Sequence, residues 1–265
     1  MKHLILIGAC YLDTILSVPH YPEEDEKLRA STLTIRRGGN CPNSLEVLQQ
    51  LVQPQDAIRM YLISPLPSKS SPAAQRIKAS FGESSPVSLE HSLYRETYTE
   101  AASSYIIRSE HSGSRTLVNY NDLPEMTVAE FEAIVQRFSP DDETWWHFEG
   151  RIPHTTLKCV RTLRDKLPNA QVSIEVEKPG RDGLRELAAE ANVVFYSKSW
   201  AEKASVGAGD TFIAGMLYSL VCRNKTWHVS HGLSFAVHLA TTKVQREGFQ
   251  GLGADVHDWL VGNAS

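Results

Sequence analysis

Four short stretches of this chain are apolar at nearly every position, with a period of neither two nor 3.6. Residues 3–7 (HLILI), 144–148 (TWWHF), 171–176 (QVSIEV) and 192–196 (NVVFY) stop abruptly at Gly8, Glu149-Gly150, Glu177-Lys178-Pro179 and Ser197-Lys198. Unalternating runs of this length, closed by turn or charged residues, predict strands buried on both faces, as in a parallel sheet. Helical signals separate them. Thr127 with Glu130 makes a capping box for a helix to about residue 138, and Leu157, Val160, Leu163 and Leu167 follow one helical face. The alternation predicts an α/β fold: an open, mostly parallel sheet flanked by helices, with ligands bound beyond the carboxyl ends of its strands.

Two stretches carry a different pattern. Residues 28–37 and 103–120 hold Thr, Ile, Val and Tyr in extended arrangements, and the second folds back around residues 110–114 with Gly113 as the hairpin signal. Strands inserted between βα units in this way predict a small lid sheet. Residues 64–88 are rich in Ser and Pro, with one modest helical patch near 73–81, and read as a surface connection.

Composition narrows the class of partner. The 265 residues are 42% hydrophobic, 22% charged and 8% aromatic, so a large core is available and collagen-like, coiled-coil or wholly disordered chains are excluded. Lys and Arg total 27 against 31 Asp and Glu, for a net charge of −4. No basic field invites nucleic acid or an anionic membrane, and a small-molecule partner fits better. Cys10, Cys41, Cys159 and Cys222 are widely spaced with no zinc-type companions, which reads as reduced thiols in a cytoplasmic protein. The apolar start is broken at Asp13 and lacks a basic flank, so it reads as a buried strand rather than a signal segment. The longest later apolar run, residues 212–221, is about half of what a bilayer span needs.

The sharpest chemical feature is Gly207-Ala208-Gly209-Asp210-Thr211, leading into a helix with Phe212, Ile213, Met216, Leu217, Leu220 and Val221 at helical spacing. Glycines ahead of a helix let main-chain N–H groups converge, and the helix dipole adds positive charge, so an anion such as a phosphoryl group is favoured there. Asp210 beside that anion suits a base that takes the proton of an attacking hydroxyl. A helix cap and a plain turn account for the same residues. The second feature is Arg37-Gly38-Gly39-Asn40-Cys41-Pro42-Asn43, again opening a helix, with Leu45, Leu48 and Leu51 on one face. Asn40 and Asn43 are one turn apart, so their amides can grip vicinal hydroxyls of a polyol; capping alone also explains Asn40. Asp13, shortly after the first strand, adds a carboxylate at the ligand edge or is a solvated loop acid. No P-loop, dinucleotide fingerprint, zincin motif or hydrolase elbow is present. His228, His231 and His238 lie on one expected helix without acidic or Cys companions and read as a packed or solvated face, and Trp145-Trp146 reads as core.

Asp13, Gly38-Gly39-Asn40 with Asn43, and Gly207-Ala208-Gly209-Asp210, in that order, resemble the ribokinase-type (PfkB-type) carbohydrate kinases. Tyr21-Pro22-Glu23-Glu24-Asp25, Ser112-Gly113-Ser114-Arg115-Thr116, His147-Phe148-Glu149-Gly150-Arg151 and Glu175-Val176-Glu177-Lys178-Pro179 are most similar to the ketohexokinase branch. The resemblance runs from about residue 3 to about 253. It implies one ribokinase-like domain over residues 1–265 that transfers the γ-phosphoryl group of ATP, with Mg²⁺ bridging the phosphates, to the C1 hydroxyl of a ketohexose such as fructose. It makes Asp210 the catalytic base and Gly207, Ala208 and Gly209 the anion hole. Asp13, Asp25, Gly39, Asn40, Asn43, Arg151 and Lys178 become sugar contacts, Arg115 a nucleotide phosphate contact, and the lid sheets a homodimer interface.

The departures from the family lie late in the chain. Only about nine residues separate residue 196 from the glycine motif, where the family has further strands, a helix and the loops that hold adenine; the domain is shortened between about 198 and 205. Ala204 replaces the family's acid near a monovalent-cation site. Ser64-Pro65-Leu66-Pro67 stands where a glycine-containing segment is expected. A kinase-fold protein that binds a sugar or a protein partner without catalysis, or the product of an incomplete gene model, is the alternative these departures raise. Loss of the covering elements predicts an exposed sheet edge and association.

Overall fold

The computed structural model describes residues 2–176, 181–196, 208–244 and 248–262. In chain order the strands are β1 (Lys2–Ile7), β2 (Tyr11–Val18), β3 (Thr32–Gly38), β4 (Ile58–Ile63), β5 (Pro65–Pro67), β6 (Val87–Ser88), β7 (Leu93–Arg95), β8 (Ser103–Ser109), β9 (Arg115–Tyr120), β10 (Glu143–Glu149), β11 (Gln171–Val176) and β12 (Val193–Tyr196). The helices are α1 (Asn40–Leu51), α2 (Pro72–Ala79), α3 (Val128–Val135), α4 (Pro153–Lys166), α5 (Leu184–Ala189), α6 (Ala208–Leu217), α7 (Val229–Val244), α8 (Leu252–Asp255) and α9 (His257–Gly262). Gly207 and Lys178 lie outside the described residues.

Six strands form the central sheet in the order β12-β11-β10-β1-β4-β6, every neighbouring pair parallel. The unalternating apolar runs are explained by what covers them. Leu4 and Leu6 of β1 belong to one core cluster with Leu45, Leu48, Leu217 and Phe235 of α1, α6 and α7. Ile5 and Ile7 belong to a second with Phe131, Val160, Leu163 and Leu187 of α3, α4 and α5 on the other face. Successive side chains of a strand point oppositely, so a strand covered twice must be apolar throughout. Each fully buried Leu or Ile contributes roughly 1.5–3 kcal/mol. Thr127 and Glu130 form the expected capping box at α3, and Arg95 pairs with that same glutamate.

The small sheet has the order β3-β2-β8-β9, with β2 and β8 parallel and the outer pairs antiparallel. Three of its strands match the expected stretches, although β3 runs from Thr32 to Gly38 rather than over residues 28–37. β2 is a correction: Asp13 lies on a strand, not in a loop after β1. Gly8 ends the first apolar run and Asp13 interrupts the next, which hid the period of two in Tyr11–Val18. Register puts Thr14, Ile35, Tyr105 and Val118 in one row and Leu16, Leu33, Ile107 and Thr116 in the next. This face is open to solvent, with Leu33 62% and Val118 65% exposed. The opposite face carries Asp13, Arg36, Ser104 and Asn119, and turns buried Ser104 and Ile106 inward.

Residues 64–88 are not wholly a surface connection. β5 pairs with β7, and Ser64, Leu66 and Ile77 are buried. His231 and His238 pack against Trp259, and His231 also against Trp227, which matches the packed-face reading, and Trp146 is core. All four cysteines are free. No helix among the described residues is long and apolar enough to cross a membrane. β12 pairs only with β11 among the described residues, and its Tyr196 is exposed. Val229, Leu233 and Val237, four residues apart on α7, are exposed as well.

His147 is enclosed in β10, where its Nδ1 and the indole Nε1 of Trp145 both meet the Ser173 hydroxyl. Burial pushes its imidazole down from 6.5 to about 3. Below 6.5 the unfolded chain takes up a proton that the folded state refuses, so stability falls with pH by roughly 1.4 kcal/mol per unit until about 3. Burial also pushes His3 and His91 down, in the same direction. The melting temperature is expected to drop on going from pH about 7.5 to about 5.5, and to drop less in His147→Asn. Thermal melts at the two pH values check this; an unchanged slope in the variant refutes it.

Candidate active site

The carboxyl ends of β1, β10 and β11 meet the amino ends of α1 and α6. The meeting is possible because residue 39 has no side chain. Gly39, the N-cap of α1, has φ +106°, and a Cβ there would lie 2.2 Å from the Ala9 carbonyl oxygen in the turn after β1. Gly38 is crowded too: its Cβ would lie 2.4 Å from an oxygen of Asp13. The glycine pair therefore seats α1 directly on the loop after β1 and folds Asp13 against the hinge from β3 into α1.

Each acid in the cleft has a donor. Asn40 Nδ2 donates to both carboxylate oxygens of Glu175, at 3.1 and 3.2 Å. Asn43 Nδ2 donates to Asp210 Oδ2 at 3.1 Å, and Ser44 Oγ to the main-chain oxygen of Asp210 at 3.1 Å. The Ala9 N–H donates to Glu149 Oε2 at 2.8 Å. Asp13 is raised from its ordinary value by burial, against the Ser104 hydroxyl and the Arg36, Arg115 and Arg37 guanidiniums. Arg36 Nε lies 3.8 Å from its Oδ2. The Cys41 thiol is held well above its usual range by burial and by Glu149, Glu175 and Asp210, which places those three acids around the first turn of α1.

The expected residues divide as follows. Asp13, Gly39, Asn40, Asn43 and Asp210 come together at one edge. Asp210 lies in the first turn of α6 rather than at its cap, and is buried. Among the described residues a Cβ at Gly209 would meet nothing within 4 Å, and Ala208 begins that helix. Arg115 is lowered by partial burial and by the neighbouring Arg36 guanidinium, against the pull of Asp13, and so belongs to the same side of the small sheet. Arg151 differs: its guanidinium forms a two-pronged pair with Glu125. Asp25 is exposed in the loop after β2 at φ +63°, and no hydrogen bond or ion pair among the described residues joins it to the others. Asn40 does not cap α1, since that position belongs to Gly39.

Sequence reading assigned no role to Glu149, Glu175, Ser44, Arg36 and Ser104. For the two glutamates a signal existed: an acid at or next to the last position of an apolar strand, where the chain enters the ligand edge. For Ser44, Arg36 and Ser104 none did.

No protein-family model matches the chain. Mouse ketohexokinase is 27% identical in an alignment of 312 positions that covers 95% of this chain and 99% of the mouse protein. That alignment is longer than the chain, so the relative carries positions with no counterpart here. Among solved structures, a nucleoside kinase of the ribokinase family from Methanocaldococcus jannaschii superposes with a TM-score of 0.71 at 16% identity, covering 99% of both chains. Arabidopsis thaliana ribokinase, solved with ribose and ATP, superposes at 0.64 and 16% identity, covering 92% of this chain and 93% of that one.

The glycine hinge is testable by itself. Gly39→Ala puts a methyl group into the Ala9 carbonyl at a backbone angle that side chains resist, and is expected to cost at least about 2 kcal/mol. Denaturant unfolding measures it; a loss under about 0.5 kcal/mol contradicts the close approach.

Proposed function

We propose that this chain, a homologue of ketohexokinase with the ribokinase fold, is a carbohydrate kinase that phosphorylates a ketohexose such as fructose on its C1 hydroxyl at the expense of ATP. The observation that carries this reading is the Asn43–Asp210 bond, which joins the polyol-gripping helix to the acid at the amino end of α6. Asp210 takes the proton of the attacking hydroxyl. The new bond forms between that oxygen and the γ-phosphorus, the bond from the γ-phosphorus to the β,γ-bridging oxygen breaks, and ADP leaves. A buried carboxylate that an amide donor holds in orientation is placed to take that proton.

The sugar lies between Asp13 on β2 and the first turn of α1, with Gly39, Asn40 and Asn43 beside it. Asn40 offers its amide oxygen, since its N–H groups face Glu175. Glu149 and Glu175 are added acceptors for sugar hydroxyls. Arg151, Lys178 and Asp25 remain proposed sugar contacts, which Arg151 reaches by leaving Glu125. The small sheet acts as a lid whose acidic and basic underside closes on the substrates and excludes water.

The amino end of α6 fits the phosphate end of ATP: it carries the helix dipole, and a Cβ at Gly209 would meet nothing among the described residues. Gly207, Ala208 and Gly209 supply the anion hole, and Mg²⁺ enters on the nucleotide phosphates, whose charge it neutralises. The base of the nucleotide has less to lie against, because few residues separate β12 from α6. The free cysteines support a cytoplasmic protein, and the open apolar face around Leu33, Ile35, Tyr105 and Val118 supports a homodimer through the lid. Neither nucleic acid nor membrane is a partner in this reading.

Asp210→Asn is expected to lower sugar phosphorylation by about a thousandfold while sugar affinity changes less than about threefold. A coupled ADP-release assay and sugar calorimetry measure both; equal turnover in the variant rules out Asp210 as the base. Saturating ATP is expected to raise the melting temperature of the wild type. A protein that binds the sugar and shows no nucleotide shift is instead a kinase-fold sugar binder. Leu33→Lys with Val118→Lys is expected to turn a dimer into a monomer by light scattering, and a wild type that is already monomeric contradicts the lid interface.

A further inference from the structure

Resting on the kinase reading above, we propose that Ser44 is a positioning residue for phosphoryl transfer: with Asn43 it locks the first turn of α6 to the first turn of α1. The base and the sugar-binding helix then keep one mutual orientation. Asp210 is held at two separate points. Asn43 Nδ2 reaches its carboxylate at 3.1 Å, and Ser44 Oγ reaches its main-chain oxygen, also at 3.1 Å. A bond to the carboxylate alone leaves the helix free to shift beneath it, and a bond to the main chain alone leaves the side chain free to rotate. The two together fix both, which is what a proton acceptor needs when a small displacement costs a large factor in rate.

Burial makes the restraint firm. Ser44 is 1% exposed and Asp210 8%, so neither bond exchanges readily with water. A carbonyl oxygen has two lone pairs and a helix uses one, so the serine bond adds to the helix without breaking it. The side chain is the smallest that does this: alanine lacks the donor, and threonine adds a methyl group to a filled space. The amide of Asn43 is oriented by the same arrangement. Its Oδ1 is buried with no hydrogen-bond partner among the described residues, and with Nδ2 committed to Asp210 it is an acceptor suited to a hydroxyl next to the one deprotonated.

Ser44→Ala and Asn43→Ala test this in the full chain. Ser44→Ala is expected to lower kcat about tenfold, with the sugar dissociation constant within about twofold of wild type. It is also expected to speed hydrogen exchange of the amides of residues 212–214, whose helix bonds end on the first-turn carbonyls of α6. Asn43→Ala is expected to move the acid limb of the kcat profile, and the ¹³C titration of the Asp210 carboxylate, upward by about one pH unit, because a donor to the charged form is lost. Ser44→Ala leaves that titration in place. A Ser44→Ala protein with kcat within twofold of wild type, or with exchange unchanged, overturns the lock; so does a loss of kcat matched by an equal loss of sugar affinity. If the wild type transfers no phosphate, the kinase reading fails, and exchange and titration still decide whether Ser44 and Asn43 hold Asp210.

Discussion

The cleft depends on the room for a single hydrogen at residue 39. Any larger group would meet the Ala9 carbonyl oxygen, so the approach of α1 to the turn after β1 is set by glycine rather than by side-chain packing. From that contact follow the reach of Asn40 to Glu175 and the reach of Asn43 and Ser44 to Asp210. Leu45, Leu48 and Leu51 then pin the rest of the helix to the core at full burial. The cleft is thus built by two unlike effects, a steric allowance at one end of a helix and apolar burial along its length.

Electrostatics decides what the cleft can do. Asp13, Glu149, Glu175 and Asp210 lie along one edge, Glu175 and Asp210 buried and the other two half-buried, an arrangement that costs free energy unless each is bonded. Among the described residues the donors they meet include a main-chain N–H, two asparagine amides and, at Asp13, a serine hydroxyl beside a guanidinium. The three acids also suppress ionisation of Cys41, so the thiol among them remains a small packing group.

The shorter half of the molecule has the opposite character. The mouse relative carries positions with no counterpart here, and β12 is left as the last strand among the described residues. The first half of the ligand edge, made by β1, β10, β11 and α1, draws nothing from that region. Tyr196 on β12 and Val229, Leu233 and Val237 on α7 are exposed.

The parallel sheet, the helices that flank it and the two glycine motifs were legible because each rests on local rules: burial on both faces removes polar residues, capping boxes satisfy free N–H groups, and glycine permits positive φ. β2 was hidden because an acid interrupts its alternation, although that acid faces the cleft. Sequence alone also singled out the candidate residues for holding a polyol and an anion. Only the tertiary structure decided that the asparagine amides spend their donors on Glu175 and Asp210, that Arg151 turns to Glu125, and that Ser44 matters at all. Those pairings join residues far apart in the chain, and no local propensity records which distant group a buried donor will meet.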